Sequence, residues 1–251
     1  MDQPFEQFGF FIELTKDLSP TLRQQGGGES MHHSAGAAAE TRYIYKQVIK
    51  QAIQILGPLS TVVVGLGLGY IEISWAQVVY ELGLEPNALM TLDSFESNEA
   101  LRKQFYSWFM LDKHLATQII YDQLNEHLQP GSPVDAIQKI LKINFLKSGK
   151  LAGDFISDRM ISSKWNVICY DLFSQKTTIN LWEEDFLCEF IKVHCAADCV
   201  FTTYASTKSL KNVLFAAGFL LLERPGFANK RESTLAVRGR FKDDSVVFQT
   251  F

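Results

Sequence analysis

The chain has 251 residues, 47% of them hydrophobic and 21% charged, the balance of an ordinary globular protein able to bury one large core. A formal charge of −4 does not mark it as a general nucleic-acid binder. The longest apolar run, residues 213–222, is too short to cross a bilayer, and the acidic opening segment lacks the basic-then-apolar order of a signal peptide, so a cytoplasmic protein with no membrane partner is expected.

In chain order, residues 8–22 read as strand, turn, strand, with the turn at 17–20. Residues 39–56 carry apolar positions at helical spacing and end at Gly57-Pro58. A strand at 61–65 leads through glycines into a helix at 70–82, and a second strand follows at 87–95. Residues 98–145 are helix-rich, broken by Pro130 and Pro133. A short strand at 149–152, a strand at 166–170, a helix at 182–192 and a strand at 199–204 come next. A helix at 208–217 stops at Gly218, a C-terminal capping position. Two closing strands, in FLLLERP and STLAVRG, have no helix between them.

Alternating strands and helices imply a doubly wound, mostly parallel sheet, and the closing pair makes the last strand antiparallel. That ending is usual in methyltransferase sheets. The expected fold is therefore α/β, a Rossmann-like class I methyltransferase fold with an N-terminal β-hairpin and a helical insertion. Residues 1–60 are expected to pack as hairpin and helix on a ligand-binding domain at 61–251, with the insertion at about 98–145.

Four cysteines in a chain of this length do not make a disulfide framework. His194, Cys195 and Cys199 (HCAADC) form the sole metal-like cluster, but C-x3-C lacks a second matched pair, and buried thiols are the expected reading, with no metal. His32 and His33 have no evident ligand partners. From residue 201 to the end, eight Lys or Arg stand against four acids, a basic end on an acidic body that reads as solvated surface or as a phosphate-facing patch.

The chemistry concentrates after the strands. In TVVVGLGLGYIEISW the glycines fall at Gly65, Gly67 and Gly69. A dinucleotide fingerprint needs its third glycine where Tyr70 stands. G-x-G-x-G suits S-adenosylmethionine instead, which has no pyrophosphate to seat on the helix. A structural glycine turn is the plain alternative, and a nucleotide-dependent oxidoreductase the least favoured. After the next strand, Asp93 or Glu96 offers a carboxylate for ribose hydroxyls, with alternation favouring Glu96. Asp154 follows the third strand, within reach of an adenine amino group, and Asp171 follows the fourth. Each acid alone is equally a cap or a solvated loop residue; their order along the chain is what counts.

At YDLFSQKTTINLW the chain resembles a known family, the MnmC-like methyltransferase domain that completes 5-methylaminomethyl-2-thiouridine at the tRNA wobble position. Asp171, Phe173, Ser174 and Trp182 stand in register with that family's segment, while Gln175 and Ile179 replace its usual prolines. The resemblance runs from about residue 8 to 239, including ELTKDLSPTLR, the Glu40-Thr-x-Tyr43 segment, and Pro225-Gly226-Phe227 with Lys230-Arg231-Glu232. It implies a tRNA N-methyltransferase using S-adenosylmethionine, with Asp171 catalytic, orienting the amine. Phe173 and Trp182 would wall the substrate pocket, Glu40 and Tyr43 close over the cofactor, and Lys230 and Arg231 meet tRNA phosphates. The oxidase domain of the family's two-enzyme fusions would be a separate protein. A methyltransferase on another amine, or an inactive S-adenosylmethionine-binding protein, are the alternatives.

Overall fold

The computed structural model describes residues 4–26, 28–111, 116–155, 164–172 and 179–249. Strands β1 (Phe10–Leu14) and β2 (Pro20–Gln24) form an antiparallel hairpin. Its turn is closed by Asp17, whose Oδ1 accepts from the Ser19 N–H at 3.1 Å and the Thr15 hydroxyl at 2.6 Å. The turn also caps the next helix. The N-cap position is Gly36, with no side chain to offer, so the first free N–H groups look elsewhere. Ala37, Ala38 and Ala39 donate to Thr15 Oγ1, Ser19 Oγ and Asp17 Oδ2. The helix itself is α1 (Ala37–Thr41), a π-helical segment (Arg42–Lys46) and α2 (Gln47–Leu56) in unbroken succession.

The remaining elements keep the expected order: β3 (Ser60–Val64), α3 (Tyr70–Glu81), β4 (Thr91–Phe95), α4 (Glu99–Phe109), α5 (Gln118–Leu128), α6 (Val134–Lys147), β5 (Leu151–Ala152) and β6 (Trp165–Tyr170). Then come α7 (Glu184–His194), β7 (Cys195–Thr203), α8 (Lys208–Ala216), β8 (Leu220–Leu222) and β9 (Thr234–Arg238). Helix α8 ends in a Schellman motif, with Gly218 at φ +81° and the Phe219 N–H bonded to the Leu214 carbonyl at 3.0 Å. Helix α7 starts two residues later than expected, because Glu183 is extended and Trp182 closes a short 3-10 turn. Strand β7 starts four residues earlier than expected. HCAADC thus lies at the end of α7 and in β7, where Arg238 donates to the Cys195 and Ala196 carbonyls. Cys195 and Cys199 are buried free thiols, and His194 packs among Phe155, Trp165 and Phe190. Among the described residues no group of three potential ligands is placed to hold a metal, and no helix is long and apolar enough to cross a membrane.

The seven-stranded sheet has the order β5-β4-β3-β6-β7-β9-β8. Pairings from β5 across to β7 are parallel, and β9 slots antiparallel between β7 and β8. Alternation along β3 assigns the two faces. Val63 joins the cluster formed with α2, α3 and the helices α4–α6, while Val62 and Val64 join the cluster under α7 and α8. The insertion is therefore a side layer: Phe105, Trp108 and Tyr121 pack against one another, with Trp108 and Tyr121 stacked at 5.4 Å. Phe5, Phe10, Ile12 and Leu22 of the N-terminal segment share the same cluster.

One buried carboxyl sits at this junction. Glu72, in the first turn of α3, is fully inaccessible, and its Oε1 accepts from Ser94 Oγ at 2.6 Å. Burial pushes its pKa up to about 8 from 4.5, so folding favours the neutral acid. A raised acid contributes stability that is complete below the unfolded value and is lost as pH rises through the folded one. Glu72→Gln removes that dependence. Thermal melts between pH 5 and pH 9 should show the variant gaining several degrees relative to wild type as pH climbs. A difference that stays constant with pH would contradict an acid buried neutral.

Candidate functional site

The strand order reverses at β3, since the chain leaves it for β4 and β5 on one side and returns to β6 on the other. Ligands in open α/β sheets bind at such a point, beyond the carboxyl ends of the strands. A cavity of about 450 Å³ lies there.

Its floor is the glycine turn. The Gly65 and Leu66 N–H groups donate to the Phe95 carbonyl, and Gly69 closes back on Leu66 at 2.7 Å before α3 begins. Gly65 sits at φ +104°, and a Cβ built on it would lie 2.3 Å from the Asp171 carbonyl oxygen. The ends of β3 and β6 therefore touch backbone to backbone. The Asp171 N–H also donates to the Val64 carbonyl at 2.9 Å.

Of the acids expected to serve the site, Glu40, Glu96, Asp154 and Asp171 all line the cavity. Glu96 Oε2 accepts from the Gly67 N–H at 3.1 Å and Oε1 from the Asn98 N–H at 2.8 Å. Burial raises its pKa against those bonds. Asp93, the other acid on that strand, is used structurally, accepting from Trp165 Nε1 and the Lys150 N–H, both at 2.8 Å. Asp171 accepts from the Tyr45 hydroxyl at 2.5 Å, and burial pushes its carboxyl to about 7. Glu40 Oε2 accepts from the His33 N–H at 2.8 Å, and its Oε1 from Lys230 Nζ at 3.2 Å.

Lys230 reaches the cavity from the loop between β8 and β9, and its ammonium stands 4.3 Å from the Tyr204 ring centroid. Tyr204 in turn donates to the Leu172 carbonyl at 2.7 Å. Arg231 points away, with its side chain 95% exposed. Tyr43 does not line the cavity: its hydroxyl donates to the Pro225 carbonyl at 3.0 Å and its ring lies near Phe227. Trp182 is buried edge-on against Tyr170, behind the cavity wall rather than in it. Gly69 serves the helix start, its Cα against the Phe105 ring. Phe173 lies outside the described residues.

Two lining residues carry no signal in the sequence pattern. Tyr45 falls in an apolar run that reads as helix core. His32 is the first of the unpartnered histidine pair; its Nδ1 meets Thr21 Oγ1 at 3.0 Å, and burial drops its pKa to about 4, so the ring is neutral. The described lining thus holds five carboxyl side chains (Glu29, Glu40, Glu96, Asp154 and Asp171) and a single lysine. Such a wall favours a cationic ligand and disfavours a pyrophosphate.

Residues 151–239, from β5 to just past β9, match a family model described as S-adenosyl-L-methionine-dependent methyltransferase. An uncharacterized protein of Methanocaldococcus jannaschii is 26% identical over 233 residues, covering 92% of this chain and 61% of that protein. The chain thus spans about three fifths of the length of that curated relative. The crystal structure of MnmC2 from Aquifex aeolicus superposes with a TM-score of 0.62 at 21% identity, over 96% of this chain and 76% of that one, a likeness of fold.

The backbone contact at the floor is directly testable. Gly65→Ala forces a side chain onto the Asp171 carbonyl in a left-handed conformation, and is expected to cost about 2–4 kcal/mol. Urea unfolding measures it, and a loss under about 0.5 kcal/mol would mean that the two strand ends are not in contact.

Proposed function

We propose that the chain is an S-adenosyl-L-methionine-dependent N-methyltransferase, MnmC-like in its methyltransferase domain, whose acceptor is the aminomethyl group of a 5-aminomethyl-2-thiouridine in tRNA; a family-model match over residues 151–239 and the likeness of fold to MnmC2 support this reading. The observation that carries this reading is Asp171, a carboxyl on the cavity wall whose own backbone abuts the glycine turn.

The cavity fits the cofactor on three counts. Side-chain-free Gly65 and Gly67 leave a backbone cradle, Glu96 stands against the Gly67 N–H where paired ribose hydroxyls need an acceptor, and the acidic lining suits a net cation. When bound, S-adenosylmethionine supplies an activated methyl group on a sulfonium. The chain supplies the rest. Glu96 holds the ribose and Asp154 the adenine amino group, while Glu40 and Lys230 close the entrance. Asp171 accepts a hydrogen bond from the amine N–H, aims the nitrogen lone pair at the methyl carbon and takes up the proton that the methylated amine releases. Its ionised form, present above about pH 7, is the competent one.

A second reading, methylation of another amine, is favoured by the charge distribution. The net charge is −4, and Lys230, the one lysine in the described lining, is engaged with Glu40 instead of facing outward to a phosphate.

Calorimetry should detect S-adenosylmethionine binding, weakened at least about tenfold by Glu96→Ala, which is about 1.4 kcal/mol. Asp171→Asn should keep that affinity and lower turnover by about 10²–10³. Mass spectrometry of tRNA nucleosides from a strain lacking the gene should show 5-aminomethyl-2-thiouridine accumulating. An unchanged profile, with cofactor binding intact, would remove tRNA and leave the second reading.

A further inference from the structure

The helix spanning Ala37 to Leu56 contains five π-helical residues, Arg42–Lys46, where the Gln47 N–H reaches back to the Arg42 carbonyl. Such a segment inserts one residue into the helical count and rotates the succeeding turns by about 100° relative to a regular α-helix. Ile44, Tyr45 and Lys46 are consequently buried in succession, an arrangement that one face of an α-helix does not provide.

The segment is held in place from the sheet. The Ile44 carbonyl accepts from Thr202 Oγ1 at 2.6 Å and from Arg224 Nη1 at 3.1 Å. Arg224 is itself buried. Its remaining bonds go to Thr202 Oγ1, Ser233 Oγ and the carbonyls of Thr203 and Thr234, so strands β7 and β9 grip the π segment through one guanidinium. What the clamp presents to the cavity is the Tyr45 phenol. A phenylalanine would fill nearly the same volume; the hydroxyl adds one interaction, its 2.5 Å bond to Asp171 Oδ1.

We propose that Tyr45 is a positioning residue for Asp171: the phenol, delivered by the clamped π segment, fixes the carboxyl through Oδ1 and leaves Oδ2 to the acceptor amine. This rests on the reading of Asp171 as the group that meets the amine. Tyr45 donates the bond and does not touch the transferred methyl group.

The charges around Asp171 sharpen what the bond does. Glu40 from α1, Glu72 from α3 and Cys169 on β6 would, when ionised, oppose a charge on Asp171, and Tyr204 is a half-buried phenol whose hydroxyl is engaged with the Leu172 carbonyl. Lys230 favours that charge, and so does the Tyr45 bond. Removing the hydroxyl while keeping the ring leaves burial and Glu40 unopposed on that side, so the carboxyl holds its proton to higher pH.

The test is the titration of Asp171 followed by 13Cγ NMR in protein labelled on aspartate, with Asp171→Asn to assign the signal. Wild type is expected to titrate near pH 7, and Tyr45→Phe about one unit higher. The acid limb of kcat/KM should move with it, so that the variant is most impaired below neutrality and recovers in alkali. Replacing Tyr45 by 3-fluorotyrosine, a stronger donor of nearly the same size, should move the midpoint the opposite way, and it serves if the phenylalanine variant fails to fold. A midpoint unmoved in either variant, or moved against these directions, overturns the proposal, because a purely structural tyrosine changes the melting temperature and not the titration. If the midpoints move as expected while wild type methylates no amine, Tyr45 still governs Asp171 and it is the methyltransferase reading of Asp171 that fails.

Discussion

The site is organised by one backbone contact, between Gly65 Cα and the carbonyl of Asp171. Two parallel strands separate at their carboxyl ends when their continuations turn to opposite faces of the sheet, and a crevice opens between them. Here the crevice stays narrow at its floor because Gly65, the residue that follows β3, has no side chain. Asp171 is thereby brought to the rim of the glycine turn without a helix or loop reaching across to deliver it. Everything that lines the cavity is arranged around this junction: Glu96 from the neighbouring strand, Asp154 from the next, and the α1 segment and closing loop above.

The closure above the junction depends on residues far apart in sequence. The turn of the N-terminal hairpin caps α1 through Thr15, Asp17 and Ser19, which sets where Glu40 falls. Lys230 arrives from the other end of the chain and bridges Glu40 and Tyr204. Arg224 fastens both partners, since it binds the π segment and begins the loop that carries Lys230. A buried guanidinium is tolerated there because its hydrogen bonds to five neutral acceptors replace those it made to water.

Electrostatically the cavity is set against anions. Carboxyl side chains dominate its described lining, the single lysine is paired, and burial keeps the His32 ring neutral. Low local dielectric strengthens this bias relative to an exposed acidic patch. It is consistent with the replacement of the third dinucleotide-type glycine by Tyr70, whose hydroxyl donates to the Pro20 carbonyl at 2.6 Å and ties the hairpin to α3.

The alternation of strands and helices, the antiparallel last strand and the helical insertion were legible in the sequence, because they arise from apolar periodicity and from glycine and proline punctuation, which are local properties. The glycine turn and the order of acids after the strands were legible for the same reason. Element boundaries at α7 and β7 were not, since those depend on Glu183 being extended and on Arg238 gripping the first carbonyls of β7. Nor could periodicity show that Tyr43 and Trp182 turn away from the cavity while Tyr45 faces it. That outcome hangs on a one-residue insertion in a helix, which Thr202 and Arg224 stabilise from more than 150 positions away. The amino-acid order by itself determined which strands exist and which acids end them. Only the tertiary structure decided which side chains meet, because a π segment, a buried arginine and a hairpin turn act through contacts that leave no period in the chain.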